Sequence, residues 1–469
     1  MRASARHKLI DIAWPEFGQA EPPRSASLDE FEARLQNIRR GMERLRLSHL
    51  LVYADREHFA NLAYATNFDP RYEEALLILN LKSAPLLLVG NECVSRLPVS
   101  PLFVGGRLRH ERFQSFSLLD QPREDSRLLK DILAEEGIGP GSRVGCAGWK
   151  YFTEQEQPDS RHAIEIPSFI VDALRDLSGR ENVINATGIF MHPGSGLRAA
   201  CSPSEIAAFE YANVLASEGM RSALFSLREG MTDFDLAKKF GYNGTPLNCF
   251  LGVNTGKSGR IGLSSPTGRT LRRGDPLSAN IGYWGSNICR AGWVAESGRD
   301  LPADARDYVE NFAGPYFEAM GEWFGMLKIG TPAGKLHSLI SERLPFDKFG
   351  IFLNPGHLIH LDEWVSSPVY EDSELELRSG MALQVDVIPS SGVYFSTRME
   401  DGIVLADSAL QAEIRARFPA CYDRCLQRRN FMQEILGIPV PGEALPLSNI
   451  PAVVPPFFLK PNLIFALES

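Results

Sequence analysis

"TRMEDGIVLAD", residues 397–407, places an arginine, a glutamate and an aspartate directly before a continuous apolar run, Ile403 to Ala406. The stretch reads as strand, and polar side chains set into the buried face of a sheet are costly unless they are paired or used. Two other places in the same half of the chain repeat the pattern. "GDPLSANIGYWGSNICR" (residues 274–290) runs from Asp275 to Arg290, and "HLIHLDE" (357–363) from His357 to Glu363. A third run, "GMALQVDVIP" (380–389), leads into the opening stretch and carries Asp386. Together these segments outline one pocket on a sheet, of the kind that collects perturbed ionisable groups.

The chain around that pocket has 469 residues, 44% of them hydrophobic and 23% charged, enough for two or three globular domains. Its formal net charge is -9, from 58 acidic against 49 basic side chains, and no long Lys/Arg run occurs. Nucleic acid is therefore not an expected partner, because phosphate recognition needs a concentrated basic patch. The beginning, "MRASARHKLIDIAWPEF", lacks the apolar core of a secretory signal, and no run of 18 apolar residues appears, so no membrane partner is expected. The seven cysteines are odd in number and scattered, which speaks against a disulfide framework and for a cytoplasmic protein. Cys421 and Cys425 share one helical face, where they read as plain structural residues.

Residues 1–27 form an N-terminal extension. From Leu28, "LDEFEARLQNIRRGMERLRL" has helical periodicity, "SHLLVYAD" reads as a strand and "EEALLILNLKSAPLLLVG" as a hairpin. This alternation predicts an α/β domain over residues 28–190. The turn-rich "GIFMHPGSGLRAACSPSEI" marks the junction, and Ser202, Pro203 and Glu205 make an S-x-x-E helix start with proline at the first helical position. Residues 200–437 then read as α+β, with antiparallel strands between helices. The proline-rich tail, 438–469, is expected to lie extended along the surface with its apolar end docked.

The order of these pieces resembles the creatinase / prolidase / methionine-aminopeptidase superfamily, whose catalytic domain has the pita-bread fold. The resemblance spans most of the chain: the mixed first domain, "GLRAACSPSEIAAFEYANVLASEGM", "LRRGDPLSAN", "GH" at 356–357, "GMALQVDVIP" and "TRMEDGIVLAD". It implies an α/β N-terminal domain, an α+β pita-bread domain, hydrolysis of a C–N bond and a homodimer. Peptidases of the superfamily hold two metal ions with Asp, Asp, His, Glu and Glu in chain order. By position these fall on Asn280, Asn287 (after a gap of about four residues), His357, Asp386 and Glu400. Two carboxylates have become amides, and neutral amide oxygens neither bridge two dications well nor offset their repulsion. The superfamily's second histidine, seven residues after the first, is Trp364 here, and its histidine upstream of "GD" has no counterpart.

No metal is therefore expected. The resemblance points instead to the creatinase branch, which works without metal and also has Asn at the first Asp position, although Cys289 replaces the glutamate expected before Arg290. His357 is the candidate acid/base, with Asp386 and Glu400 orienting it or activating water. His360 is a further catalytic candidate, although on a strand it would face away from His357. Asn280, Asn287, Arg290, Glu363 and Arg398 are the candidate substrate-binding residues, the two arginines as clamps for a carboxylate. Arg290 has a rival role as the partner of Glu400 or Asp401, and Cys289 reads as a small buried hydrophobe rather than a nucleophile. Two other readings stand beside the metal-free hydrolase of amidines, amides or amino-acid derivatives. One is a hydrolase or lyase with a single divalent metal on His357, Asp386 and Glu400. The other is a pseudo-peptidase that binds a small molecule without turning it over.

Overall fold

The first strand, β1 (His7–Asp11), pairs antiparallel with Leu463–Leu467 at the far end of the chain. The computed structural model describes residues 7–22, 26–256 and 264–468, and it divides into two units: residues 24–198, and residues 199–469 together with 1–23. Residues 7–22, in the segment expected as an N-terminal extension, thus belong to the C-terminal unit. Among the described residues no helix is long and apolar enough to cross a membrane, and all seven cysteines are free thiols.

In the N-terminal unit, the Ser27 hydroxyl accepts a hydrogen bond from the Glu30 amide and caps the helix Leu28–Arg44. Phe31, Leu35, Ile38 and Met42 recur at helical spacing along it and are buried. Complete burial of side chains of this kind stabilises by about 1.5–3 kcal/mol each. Six strands, β2 (His49–Ala54), β3 (Ala75–Asn80), β4 (Leu86–Val89), β5 (Arg109–Arg112), β6 (Val144–Ala147) and β7 (Val183–Asn185), form one sheet in the order β5-β4-β3-β2-β6-β7. β3 and β4 make the hairpin legible in "EEALLILNLKSAPLLLVG", while β6 and β7 run parallel to β2. Parallel neighbours need crossovers, and the helix Ser168–Ser178 lies between β6 and β7 in the chain.

The C-terminal unit is built on two four-stranded sheets. One contains β8 (Leu247–Thr255), β9 (Pro276–Tyr283), β10 (Ser286–Trp293) and, after two strands of the other sheet, β13 (Arg398–Glu400), in the order β13-β10-β9-β8. The other contains β11 (His357–Leu358), β12 (Ala382–Gln384), β14 (Gly402–Leu405) and β15 (Ala444–Pro446) in that order. "TRMEDGIVLAD" is therefore not one strand. It crosses from the first sheet to the second at Asp401, the single residue between β13 and β14.

The helix Pro203–Ser226 has the capping box expected from Ser202 and Glu205, with Pro203 in its first turn. It holds the β9–β10 turn in place. The Asn213 amide donates to the Gly285 carbonyl at 3.1 Å. Gly285 has a φ of +87°, and a Cβ there would come within 1.9 Å of the Phe209 ring, so no other residue fits this turn.

The proline-rich tail does not lie on the surface. Ile438, Val440, Ile450, Val453, Val454 and Phe458 are buried, β15 completes the second sheet, and β16 (Leu463–Leu467) pairs with β1. Proline brings no backbone N–H, so such a segment enters an interior with fewer donors to satisfy. Two of its carbonyls, those of Ile450 and Val453, accept from Arg290.

Candidate active site

The register of the first sheet decides which side chains meet. Asn280 lies opposite Cys289, which lies opposite Glu400, and Gly252 completes this row on β8. Directly opposed residues point to the same face, and every second residue along a strand returns to it. Asn280, Asn287, Cys289, Arg398 and Glu400 therefore share one face. Arg290, Met399 and Asp401 occupy the other.

His357, Asp386 and Glu400 come together there. One ligand atom from each lies within 4.8 Å of the others, and all three residues are buried. His357 opposes Gln384 on β12, and Asp386 follows two residues beyond, on the same side. The His357 Nδ1 lies 3.2 Å from the Leu358 carbonyl oxygen, which assigns a ring proton to Nδ1 and turns Nε2 toward the cluster. Glu363 Oε1 lies 3.2 Å from Nε2 and Asp386 Oδ2 4.0 Å from it. Trp364, where the superfamily resemblance expects a second histidine, stacks on the His357 ring with centroids 4.1 Å apart.

Burial alone would lower the pKa of His357, but Glu363 and then Asp386 outweigh it and shift it upward. Burial raises Asp386, with His357 and Arg398 opposing. Glu400 is pushed well above the usual carboxylate range by burial, then by the nearby Asp386 and Glu363. The Asn287 amide donates to Glu400 Oε1 at 2.8 Å. Arg398, 2% exposed, places Nη1 3.4 Å from the Cys289 sulfur and is drawn electrostatically to Asp386 and Glu400.

Two of the residues expected here act elsewhere. Arg290 is not a clamp for a substrate carboxylate: its guanidinium lies on the opposite face, donating to both Asp401 oxygens at 3.1 and 2.9 Å. It also donates to the carbonyls of Val453, Cys289, Glu400 and Ile450. Its alternative role, as partner of Asp401, is the one observed, and it fixes the crossing between the two sheets. His360 is not among the clustered donors. Its Nε2 lies 3.1 Å from Glu205 Oε1, and its ring packs edge-on against Phe209 at the start of the Pro203–Ser226 helix. It lies beyond the end of β11, two residues after Leu358, on the helix side.

Gln384 and Asn254 were not singled out by the sequence. The Gln384 side chain donates to the Asn287 carbonyl at 2.9 Å, and Asn254 faces the site from β8, opposite Ser278. The signal for Gln384 was its place two residues before Asp386, at the end of β12. For Asn254 the sequence carries no signal, because β8 contains register shifts between Leu247 and Gly252.

No protein-family model matches the chain, and no curated protein does. Solved structures do. The chain is similar to the prolidase from Pyrococcus horikoshii OT3, with a TM-score of 0.61 and 16% identity over 80% of this chain and 95% of that one. An Xaa-Pro dipeptidase from Bacillus anthracis matches with a TM-score of 0.61 and 16% identity, over 81% of this chain and 96% of its own. The X-Pro aminopeptidase from Thermotoga maritima MSB8 matches with a TM-score of 0.60 and 15% identity, over 80% and 95%. The chain has the pita-bread fold. The resemblance drawn from the order of its motifs is thus matched in three dimensions, and at these identities it is a likeness of fold.

The donor set differs from that of a two-metal peptidase in charge and in bonding. Asp386, Glu400 and Glu363 supply three carboxylates against the Arg398 guanidinium. Asn287 turns an N–H, not an oxygen, toward Glu400. Among the described residues the buried Oδ1 atoms of Asn280 and Asn287 have no hydrogen-bond partner, and neither has Asp386 Oδ1. Opposite ligands of one small divalent cation stand on the order of 4 Å apart, close to the spread of the His357, Asp386 and Glu400 donors.

Proposed function

We propose that the chain is a hydrolase that opens a C–N bond in a small substrate, with His357 as proton carrier and without a dinuclear metal centre. The observation that carries this reading is the buried His357 ring, with Nδ1 against a backbone carbonyl and Nε2 facing Glu363 and Asp386. An imidazole so held takes and returns a proton near neutral pH. Glu363 orients the ring and stabilises its charged form. Glu400, fixed by the Asn287 amide, is placed to position a water, and Arg398 on the same face receives an anionic end of the substrate.

Two considerations speak against carrying over the peptidase activities named for the similar structures. Three carboxylates against one guanidinium leave negative charge for one dication rather than two. In addition, Asn287 donates a hydrogen bond to an oxygen that a second ion would need. A single divalent cation is the second reading, favoured by the 4.8 Å cluster of His357, Asp386 and Glu400, which would hold it. Such an ion polarises a scissile group and acidifies bound water.

Elemental mass spectrometry of protein purified without added metal or chelator tests both readings. Less than about a tenth of an equivalent, together with hydrolysis of an amide or amidine, is the expected result. About one equivalent of iron, zinc or manganese, lost in Glu400→Ala, would establish the single-metal reading instead, and two equivalents would overturn both. Ligand binding without product from any amide, amidine or dipeptide would leave a binding protein.

A further inference from the structure

The helix Pro419–Glu434 buries two thiols and a guanidinium: its inward residues are Cys421, Cys425, Arg428 and Met432. Cys421 and Cys425 stand one turn apart, so their side chains are neighbours on one face. Both pack in the apolar cluster that holds Cys201, Phe209 and Ile359. The Cys421 thiol donates a hydrogen bond to the Cys425 sulfur. Arg428 Nη1 reaches the same sulfur at 3.8 Å.

The charge around the pair does not balance. Arg424 donates to both Glu210 oxygens at 2.8 and 2.7 Å, and Arg428 Nη2 donates to Glu210 Oε1 at 2.7 Å. The other oxygens that Arg428 reaches are neutral: Asn449 Oδ1 at 3.1 and 2.7 Å and the Pro446 carbonyl at 3.5 Å. Among the described residues one carboxylate, 1% exposed, thus serves two guanidiniums. Uncompensated buried charge is costly, and a thiolate on Cys425 would supply the missing negative charge. The hydrogen bond from Cys421 holds the Cys425 thiol below its ordinary range against its burial, with Arg428 adding to the effect. The same bond, and then burial, pushes Cys421 well above its ordinary range.

We propose that Cys421 and Cys425 are a redox-active pair that hydrogen peroxide converts to a disulfide, a site of reversible modification outside the catalytic cluster. The thiolate attacks one peroxide oxygen, the O–O bond breaks, hydroxide leaves and a sulfenic acid remains. The second sulfur attacks the sulfenic sulfur, and its proton leaves with the hydroxyl group as water. The pair gives up two electrons, and peroxide is reduced to hydroxide and water. Cys421 is 5% exposed and lies directly after the exposed Pro419 and Ala420, which sets it within reach of so small an oxidant. Neighbours one helical turn apart hold their Cβ atoms about 5–6 Å apart, against about 3.8 Å in a disulfide, so the bond must tighten the helix. A bond strained in this way is readily reduced again, which suits a reversible mark and not a permanent brace. Glu210, held by both arginines, follows Phe209, whose ring backs the Gly285 turn between β9 and β10.

Peptide mapping of the full-length protein tests this. The protein is freed of reductant, treated with hydrogen peroxide, blocked with iodoacetamide in denaturant and digested with trypsin. Trypsin cuts after Arg424, between the two cysteines, so the disulfide joins peptide 418–424 to peptide 425–428. That linked pair, lost on reduction, is the expected product, and it should form at least about tenfold faster than Cys93 or Cys146 is oxidised. In Cys421→Ser the sulfenic acid on Cys425 has no partner thiol one turn away, and dimedone should capture it. The wild-type digest needs no variant and stands even if a substitution impairs folding. Recovery of Cys421 and Cys425 as alkylated thiols after peroxide, or a link from either to Cys201, would overturn the inference.

Discussion

Replacing Glu400 by glutamine should change how the protein's stability depends on pH. Glu400 is 3% exposed, and burial with Asp386 and Glu363 nearby raises its carboxyl well above the ordinary range. A carboxyl with a raised folded-state pKa keeps its proton when the unfolded chain has already released its own. Its contribution to stability is complete below the unfolded value, about 4.3, and is lost as pH rises toward and through the folded value. While the folded form stays protonated, the loss is about 1.4 kcal/mol for each pH unit above the unfolded value. Glutamine has the same shape and nothing to titrate. The stability of Glu400→Gln relative to wild type should therefore rise at that rate with pH. Urea unfolding of chelator-treated protein, followed by tryptophan fluorescence, reads it directly, since five of the six tryptophans lie in the C-terminal unit. Parallel pH profiles for the two proteins would refute the argument, because Glu400 would then titrate no differently in the folded and unfolded chains.

Glu363→Gln removes the first group that raises His357, so the acid limb of the pH–rate profile should move to lower pH, and turnover should fall about a hundredfold or more in His357→Gln. Gly252→Ala puts a methyl 2.1 Å from Asn280 Oδ1 and should cost most of the activity, with a melting temperature close to wild type by scanning fluorimetry. Arg290→Met leaves Asp401 buried and uncompensated. It should destabilise by about 3–5 kcal/mol in the same urea assay, whereas substitution of an arginine that serves only substrate would leave stability nearly unchanged. Cys289→Ser should retain activity within about tenfold, and complete loss would instead make the thiol a nucleophile.

The sequence by itself determined the layout. Apolar periodicity, the S-x-x-E cap at Ser202 and the order of the polar-in-apolar runs were sufficient for the two-part architecture and the pita-bread resemblance. They also located His357, Asp386 and Glu400, because a titratable residue inside a buried strand is legible in one dimension: it breaks a hydrophobic run. What the tertiary structure decided was direction. Arg290 and Asn287 are three residues apart on one strand, and the period of two sends one to the Asp401 crossing and the other to Glu400. His360 and His357 part because the chain leaves β11 after Leu358. The proline-rich tail, which composition alone places outside, is inside, with its apolar side chains buried and its strands paired with β14 and β1. The unpartnered amide oxygens were invisible in the sequence, since each is defined by an acceptor that holds the other end of its amide from a distant part of the chain or from a neighbouring strand. A one-dimensional pattern records which residues must be buried, and only the register of paired strands records which of them face one another.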